Sequence, residues 1–364
     1  MSASTDPIRA VSQRLDIFLA SQRTATADFG AEAELFVEAG ASAVAGGKRL
    51  RGRFCIAGWR AVEEAARPPR EIPDAVVSAA ASLELFHAAA LIHDDVIDNS
   101  DTRRGRPAAH RALEASHRGA GWVGDAPSFG RSGAILLGDL LVAWSDDLLE
   151  EGLDGIDTAR ARAARREYAV MRREVTIGQF LDIAEESAFR SEPDERHAER
   201  ALRVASLKSA RYSIQQPLAI GAALAGADGA QRDALAAFGH PVGMAFQLRD
   251  DVLGVFGDES ETGKPSGDDL REGKRTVLIA YAREGLTPGA RRTVDELIGD
   301  PLLDAEQVAA LQRTIIDSGA LDRVEALITD YATQAERALN GARLDNAAVG
   351  SLRDLARAAT VRTT

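Results

Sequence analysis

Apolar residues recur at helical spacing in nearly every long segment of the chain. The positions between them are filled mainly by Ala, Leu, Arg and Glu, which are strong helix formers. Runs of alternating β-branched residues bounded by turns, which would indicate strands, are missing. The pattern therefore predicts an all-α chain.

The helical pattern breaks most clearly where the composition is that of turns or loops, at residues 67–69, 119–133, 191–196 and 257–267. No long linker divides the chain, so we expect a single domain over residues 1–364. The predicted helices cover roughly residues 8–28, 31–45, 50–66, 73–100, 107–118, 132–151, 155–188, 197–226, 229–256, 273–285, 289–299, 304–318, 319–341 and 344–360.

Length and charge limit the classes of protein to which the chain can belong. With 364 residues, of which 45% are hydrophobic, it can bury a substantial core. Its net charge of −12 disfavours general binding to nucleic acid or to anionic lipid. An anionic ligand must therefore be attracted by a local basic cluster.

The single cysteine, Cys55, excludes an internal disulfide and a cysteine-based metal site. The first residues contain no basic stretch leading into an apolar segment, and no run of 18 uncharged apolar residues occurs. These features predict a cytoplasmic protein with no membrane span and no nucleic-acid partner.

A first acidic cluster closes the predicted helix 73–100. Asp94 and Asp98 are four residues apart and share one helix face, Asp95 lies beside them, and Asp101 follows. Like charges at this spacing repel, so a cation is expected there, and hard oxygen ligands suit Mg²⁺. The alternative is a solvated helix end, although the apolar run 88–92 before the cluster indicates a buried helix.

A second acidic pair, Asp250 and Asp251, closes the apolar predicted helix 229–256. Gln247 precedes it by one turn and is a neutral hydrogen-bonding partner on the same face. Position 254 is glycine, so the spacing of the first cluster is not fully repeated. Two facing acidic helix ends would make a site for several metal ions.

Basic residues concentrate in four short segments, two of which come just after an acidic cluster. Taken singly, each could be a solvated surface, but together they favour phosphate binding. The first segment is not a P-loop, because Lys48 is followed by Arg49 and no strand precedes it. The segments contain Lys48 and Arg51, Arg103 and Arg104, Lys208 and Arg211, and Lys264 and Lys274.

These motifs together resemble those of the trans-isoprenyl diphosphate synthases, also called polyprenyl synthetases, over about residues 40–285. Asp94-Asp-x-x-Asp98 resembles the first aspartate-rich motif of the family and Phe246-Gln-x-x-Asp-Asp251 the second. Gly46-Gly-Lys-Arg-Leu-Arg51 resembles its isopentenyl diphosphate signature. The resemblance implies a helical bundle around a central active-site cavity.

Carried over to this sequence, the resemblance assigns roles to individual residues. The metal ligands would be Asp94, Asp95, Asp98, Asp250 and Asp251. Of these, Asp94 and Asp98 would bind two Mg²⁺ ions from one side and Asp250 a third from the other. The allylic diphosphate would contact Arg103, Lys208, Gln247, Lys264 and Lys274. Isopentenyl diphosphate would contact Lys48, Arg51, His87 and Arg104. Asp94, Asp98, Arg103, Lys208, Asp250 and Lys264 would carry the catalytic role.

The implied chemistry begins when the leaving diphosphate is neutralised and the allylic C–O bond ionises. The isopentenyl double bond then attacks the cation, and a proton is lost, in this family to the departing diphosphate. Gly254 departs from the family, which usually has a last aspartate there, and Gly52 stands where proline is common. Ser209 replaces a usual threonine but keeps the hydroxyl for substrate binding. Residues 117–133 resemble a longer loop than the family usually has.

The product length depends on the residues behind the first acidic cluster. If the growing tail runs back along this helix, each turn of about 5.4 Å accommodates roughly one isoprene unit. Ala89 and Ala90 leave room where synthases of shorter products have a bulky aromatic, and Phe86 is the first large side chain, about 12 Å deeper. Phe86 is either the floor of the pocket or ordinary core packing. Geranylgeranyl diphosphate is the favoured product over a farnesyl or longer one.

Other functions remain to be compared. A terpene cyclase would share the first acidic helix but normally lacks the Gly-Gly-Lys-Arg signature and the second Asp-Asp pair. A catalytically weak regulatory subunit of a heteromeric synthase would fit Gly254, but not the retained basic residues. A helical scaffold would leave the paired carboxylates and cations unexplained. The resemblance also implies a homodimer.

Overall fold

The computed structural model describes residues 6–63, 71–103, 105–258 and 265–360. These parts of the chain are almost entirely helical, which confirms the predicted all-α class. The helices, numbered α1 to α16 in chain order, span Pro7–Thr26, Ala31–Val44, Leu50–Val62, Asp74–Ile97, Ala109–Gly119, Ala126–Leu153, Thr158–Ala188, His197–Val204, Gln216–Ala225, Gly229–Phe256, Asp268–Glu272, Val277–Gly285, Pro288–Leu297, Ala305–Asp317, Ala320–Ala338 and Asn346–Thr360.

Three further kinds of element are not α-helical. A π-helical segment, Ala205–Gln215, joins α8 to α9, so that the predicted helix 197–226 is continuous but wider in its middle. Short 3₁₀ turns occur at Ala27–Phe29, Phe189–Ser191 and Asp194–Arg196. An antiparallel hairpin of two-residue strands, β1 (Thr102–Arg103) and β2 (Arg106–Pro107), follows α4. The sequence pattern predicted no strand there.

Aspartate caps determine where many helices begin. Aspartates at positions 6, 125, 157, 228 and 304 each accept a backbone N–H from the first turn of the following helix. The prediction of a loop over residues 119–133 was wrong because Asp125 caps α6 and Pro127 suits its first turn, so the helix already begins at Ala126.

Helix α4 is the centre of the larger core. It packs against α1, α3, α6 and α9, and most of its residues from Val76 to Ile92 are buried. By length and composition α4 could cross a membrane, but 78% of its most apolar window is buried inside the protein. This degree of burial is typical of the core helix of a globular domain.

Three large hydrophobic cores and a small fourth one, formed by Ala205, Ala210 and Met244, hold the described helices together. The first surrounds α4 and includes side chains of α1, α2, α3, α6, α7 and α9. The second joins α10 to α15, and the third contains residues of α3, α9, α10 and α16. Because the third core connects the helices of the other two, we propose that the chain is one domain.

Candidate active site

The first acidic cluster lies at the C-terminal end of α4. Asp94 accepts a hydrogen bond from Gln179 Nε2 of α7 at 3.0 Å, and Lys208 Nζ lies 3.3 Å from its Oδ1. Burial by itself would raise the pKa of Asp94, but Lys208, Lys274 and Arg103 outweigh it and bring the pKa below its usual value. Asp94 is therefore held as a carboxylate.

The hairpin after α4 places Arg103 against the same helix end. Its Nε donates to Asp95 Oδ1 at 2.8 Å, a second N–H reaches the same oxygen, and Nη2 lies 3.5 Å from Asp94 Oδ2. Asp95 is buried, whereas Asp94 is partly exposed. Arg103 thus compensates the negative charge of the buried Asp95, while Asp94 faces the site.

Lys208 comes from the π-helical segment and joins α4 to α7. Its Nζ donates to Asp182 Oδ2 of α7 at 2.5 Å. A Cβ on Gly178 would lie 2.4 Å from the backbone nitrogen of Lys208, so only glycine permits this approach of α7 to the segment. Ser209 follows Lys208 and is half-buried.

Lys274, which follows α11, contacts three carboxylates. Its Nζ lies 2.6 Å from Glu272 Oε2, 3.7 Å from Asp98 Oδ2 and 3.7 Å from Asp269 Oδ1. Burial and the charge of Asp94 raise the pKa of Asp98 to about 6 despite this lysine. Asp98 therefore carries negative charge that the described cations do not fully compensate.

The second acidic cluster ends α10 as predicted. Gln247 Nε2 donates to Asp251 Oδ1 at 2.6 Å, and both Asp250 and Asp251 lie in the last two turns of the helix. Burial and, next in size, the charge of Asp269 raise the pKa of Asp251 to about 8. Like Asp98, Asp251 lacks sufficient positive charge nearby.

Arg51 and His87 meet at the ring of Tyr212, which belongs to the π-helical segment. The guanidinium of Arg51 lies over this ring, and its Nη2 donates to Ser213 Oγ at 2.8 Å. His87 Nδ1 lies 3.1 Å from the Tyr212 hydroxyl. Two of the side chains predicted to hold isopentenyl diphosphate are therefore brought together by Tyr212.

Lys48 lies in a tight turn that Arg49 anchors. Arg49 has a left-handed backbone, with φ of 49°, and its Nη1 donates to the carbonyl of Val44 at 2.9 Å and lies 3.9 Å from Glu84. Glu84 also accepts the N–H of Gly52 at 2.9 Å. These contacts turn the buried Arg49 inward and leave Lys48 exposed to solvent.

The residues proposed to set product length lie in an aromatic cluster behind Asp94. The Phe86 ring is buried, with ring centroids 6.4 Å from Tyr168 and 5.9 Å from Tyr212. Ala89 is fully buried and Ala90 half-buried on the same helix. This packing suits a pocket floor and a core residue equally.

Some residues of the site were not predicted, and two predicted ones cannot be placed. Sequence reasoning missed Gln179 and Asp182, although a polar stripe at helical spacing along α7 was a usable signal. It also missed Tyr212, for which we find no sequence signal. Arg104 and Lys264 lie outside the described residues.

A cavity of about 500 Å³ lies at the end of α7, where its lining includes Glu186, Arg190 and Arg275. Burial, followed by the charges of Asp182 and Asp98, raises the pKa of Glu186 to about 7. Glu186 is thus electrostatically coupled to the acidic site and also faces the cavity.

The donor set fits magnesium. The carboxylates of α4 and α10 offer only hard oxygen ligands, and the raised pKa values of Asp98 and Asp251 show that their ionised forms lack compensating positive charge, which a bound cation would supply. Among the residues that the structure describes, no three His, Cys, Asp or Glu side chains are gathered closely enough to hold one ion by themselves. This arrangement suits Mg²⁺, which commonly uses one or two carboxylates together with water and substrate phosphate.

Comparison with known proteins identifies relatives of this chain. The family model described as polyprenyl synthetase matches residues 33–315. The geranylfarnesyl diphosphate synthase of Aeropyrum pernix is 32% identical over 297 residues, covering 81% of this chain and 84% of that protein. The (2E,6E)-farnesyl diphosphate synthase of Mycobacterium tuberculosis is 32% identical over 78% of this chain and 73% of its own.

A solved structure matches nearly the whole chain. The geranylgeranyl pyrophosphate synthase of Corynebacterium glutamicum, complexed with isoprenyl diphosphate and magnesium, aligns with a TM-score of 0.90. It is 40% identical, and the alignment covers 98% of each chain. The matched relatives make products of different lengths.

Proposed function

This chain belongs to the polyprenyl synthetase family and is a trans-prenyltransferase, and from that premise we propose that it condenses isopentenyl diphosphate with an allylic diphosphate and that its favoured product is geranylgeranyl diphosphate. The family depends on magnesium in general. One observation carries the proposal. Lys208 and Lys274, from two different segments, lie against Asp94 and Asp98 at the end of α4.

Carboxylates beside lysines suit a diphosphate that binds through metal ions, because the carboxylates hold the ions and the lysines contact the phosphate oxygens. Asp94, Asp98 and Asp250 are the proposed ligands of three Mg²⁺ ions, with Asp95 and Asp251 supporting them. When bound, Mg²⁺ neutralises the negative charge that develops on the leaving diphosphate. Lys208, Lys274 and Arg103 are positioned to share that neutralisation as direct cationic partners, a role that we also propose for Lys264.

The second substrate is proposed to bind about one turn further along the π-helical segment, beside Tyr212 and Ser213. Arg51, oriented by Tyr212 and Ser213, would hold its diphosphate together with Lys48, His87 and Arg104. Arg51 offers a planar fork that matches phosphate oxygens. Both diphosphates would then approach one another along α4.

The reaction proceeds in three bond changes. The allylic C–O bond breaks and its electron pair leaves with the diphosphate, which these cationic side chains stabilise. The isopentenyl double bond then forms the new C–C bond to the allylic cation. The addition leaves a cation on the isopentenyl unit. A proton on the adjacent carbon then passes to the departing diphosphate, and the electrons of the broken C–H bond form the new double bond, so no side chain has to act as general base.

The product length is the finer part of the proposal. Asp94, Ala90 and Phe86 follow one another at intervals of four residues on α4, so they form one stripe. The small side chains at Ala89 and Ala90 would leave room for the tail between the acidic cluster and Phe86. Phe86, packed between Tyr168 and Tyr212, would stop the tail there.

We also propose a homodimer located in the cytoplasm. Ile177 and Phe180, one turn apart on α7, are 54% and 67% exposed, and Leu136 of α6 is 60% exposed. Exposed apolar side chains of this size favour a partner surface. The unpaired, buried Cys55 suits a reducing compartment.

The proposal is tested by incubating the purified full-length protein with Mg²⁺, isopentenyl diphosphate and each allylic primer in turn. Mass spectrometry then measures the product, with EDTA as the control. A metal-dependent geranylgeranyl diphosphate supports the whole proposal, and longer or shorter products support the reaction but not the floor at Phe86. The absence of condensation with every primer would favour the regulatory-subunit alternative.

A further inference from the structure

The face of α7 that meets the acidic site continues to Phe189, directly after the end of the helix. Gln179 and Asp182 contact Asp94 and Lys208 from this face. The backbone is still helical at Phe189, which follows Asp182 by two turns and so lies on the same side of α7. Its side chain is buried. The stripe of α7 that holds two charged groups of the site therefore ends in a buried aromatic ring.

Arg275, the residue after Lys274, packs on the ring of Phe189. Its guanidinium lies 3.6 Å from the ring centre, a distance at which the cation and the aromatic face attract each other. Its side chain is 10% exposed, and its Nε has no hydrogen-bond partner among the residues that the structure describes. Asp295 accepts a hydrogen bond from Arg275 Nη1 at 3.3 Å, but it also accepts two from Arg283 at 2.9 Å. The burial of Arg275 therefore depends on the aromatic ring as well as on a shared carboxylate.

Lys274 and Arg275 lie between α11 and α12, in residues 273–276, which are not helical. Such a segment has no helical ladder of hydrogen bonds to fix its backbone, so its position depends on the contacts of its side chains. The cavity at the end of α7 lies beside the stack, since Phe189 and Arg275 both line it. Loss of the ring would enlarge this cavity and leave the segment free to shift.

We propose that Phe189 positions Lys274 for the allylic diphosphate through its contact with Arg275. The ammonium of Lys274 lies 3.7 Å from Asp98 Oδ2, so a small shift of its segment changes the place of its charge in the site. Helix α7 and the turn that follows it then place both lysines of the site, one through Asp182 and the other through Phe189. This inference rests on the proposed function, because it assigns Phe189 to the binding of the allylic diphosphate.

A purely structural role of Phe189 makes a different prediction. A matched contact is available in the same protein, because the guanidinium of Arg323 in α15 lies 3.8 Å from the centre of the Tyr281 ring in α12. If Phe189 only filled the core, Phe189→Leu and Tyr281→Leu would both lower the midpoint of thermal unfolding, and neither would change the binding of diphosphate. A positioning role lowers the affinity for diphosphate in Phe189→Leu alone.

The test measures the Kd of the full chain for inorganic diphosphate at a fixed Mg²⁺ concentration by isothermal titration calorimetry. We expect Phe189→Leu to raise this Kd about tenfold, which is the size of one hydrogen bond to a charged group. Phe189→Tyr keeps the aromatic face, so its Kd should stay within about twofold of that of the unmodified protein. Tyr281→Leu should leave the Kd unchanged.

Arg275→Gln keeps the inference testable if Phe189→Leu folds poorly. It leaves the ring of Phe189 in place but removes the cation that packs on it, so the same rise in Kd is expected. In a Lys274→Gln background, Phe189→Leu should add less than about twofold, because no ammonium remains to be positioned. An unchanged Kd in Phe189→Leu or in Arg275→Gln, or a full additional rise in the Lys274→Gln background, would overturn the inference.

Failure of the proposed function is visible separately. If the binding of diphosphate depends on Phe189 as expected but the unmodified protein condenses no primer, the inference stands and the proposed reaction fails. If the protein condenses primers while Phe189→Leu binds diphosphate with an unchanged Kd, the reaction stands and the inference fails. If the unmodified protein binds no diphosphate in the presence of Mg²⁺, both fail.

Discussion

The guanidinium of Arg51 lies 4.3 Å from the centre of the Tyr212 ring. At this distance the cation and the aromatic face attract each other, and this attraction limits the movement of the guanidinium. The hydroxyl of the same tyrosine lies 3.1 Å from His87 Nδ1. Tyr212 therefore orients two proposed substrate contacts that come from different helices.

Replacing Tyr212 should affect the isopentenyl substrate more than the allylic one. Tyr212→Leu removes the stack and the hydroxyl, and we expect KM for isopentenyl diphosphate to rise about tenfold, which corresponds to about 1.4 kcal/mol. Tyr212→Phe keeps the stack, so a smaller rise is expected. Steady-state kinetics with each substrate varied in turn provide the measurement. Equal effects on both substrates would contradict an orienting role.

Asp182 was not predicted, yet it holds Lys208 at 2.5 Å. Asp182→Asn removes this charge pair and leaves the Lys208 ammonium less firmly placed. We expect kcat/KM to fall about ten- to hundredfold, because charge-assisted hydrogen bonds contribute about 1.5–3 kcal/mol. Glu167→Gln on the same helix, away from the site, is the control and should retain activity. Retained activity in Asp182→Asn would show that Lys208 does not depend on it.

Product length should respond to residues of α4. Phe86→Leu shortens the side chain with less cavity formation than Phe86→Ala, which would cost about 3–5 kcal/mol of stability. We expect both variants to lengthen the product, and Ala90→Phe to shorten it. Mass spectrometry of the products decides the question. An unchanged distribution in the Phe86 variants would mean that Phe86 is a core residue only.

Stability without magnesium should fall as pH rises. The pKa of Asp251 is about 8 in the folded protein and near 3.8 when unfolded, so the folded state binds more protons between these values. The stability contributed by protonated Asp251 is complete below pH 3.8 and is lost as pH rises through about 8.

Thermal unfolding of the unmodified protein and of Asp251→Asn, followed from pH 5 to 9 in EDTA, measures this slope. The variant should lose less stability with rising pH, because an amide does not ionise. Parallel curves for the two proteins would show that Asp251 is not the group responsible. Mg²⁺ with inorganic diphosphate should reduce the slope of the unmodified protein, since a bound cation favours the carboxylate.

The sequence by itself determined the all-α class and the main features of the candidate site. The periodicity that predicts a helix also places Asp94 and Asp98 on one face, and the apolar run before them predicts their position at the end of a buried helix. These properties depend on neighbours within a few residues along the chain. For that reason they could be deduced without a three-dimensional structure.

Only the tertiary structure decided which residues from distant segments meet. The contact of Lys208 with Asp182 depends on how closely α7 approaches the π-helical segment at Gly178. The position of Asp269 beside Gly254 depends in the same way on the packing of α11 against α10. Helix crossings are fixed by the fit of whole surfaces, and no local periodicity encodes them.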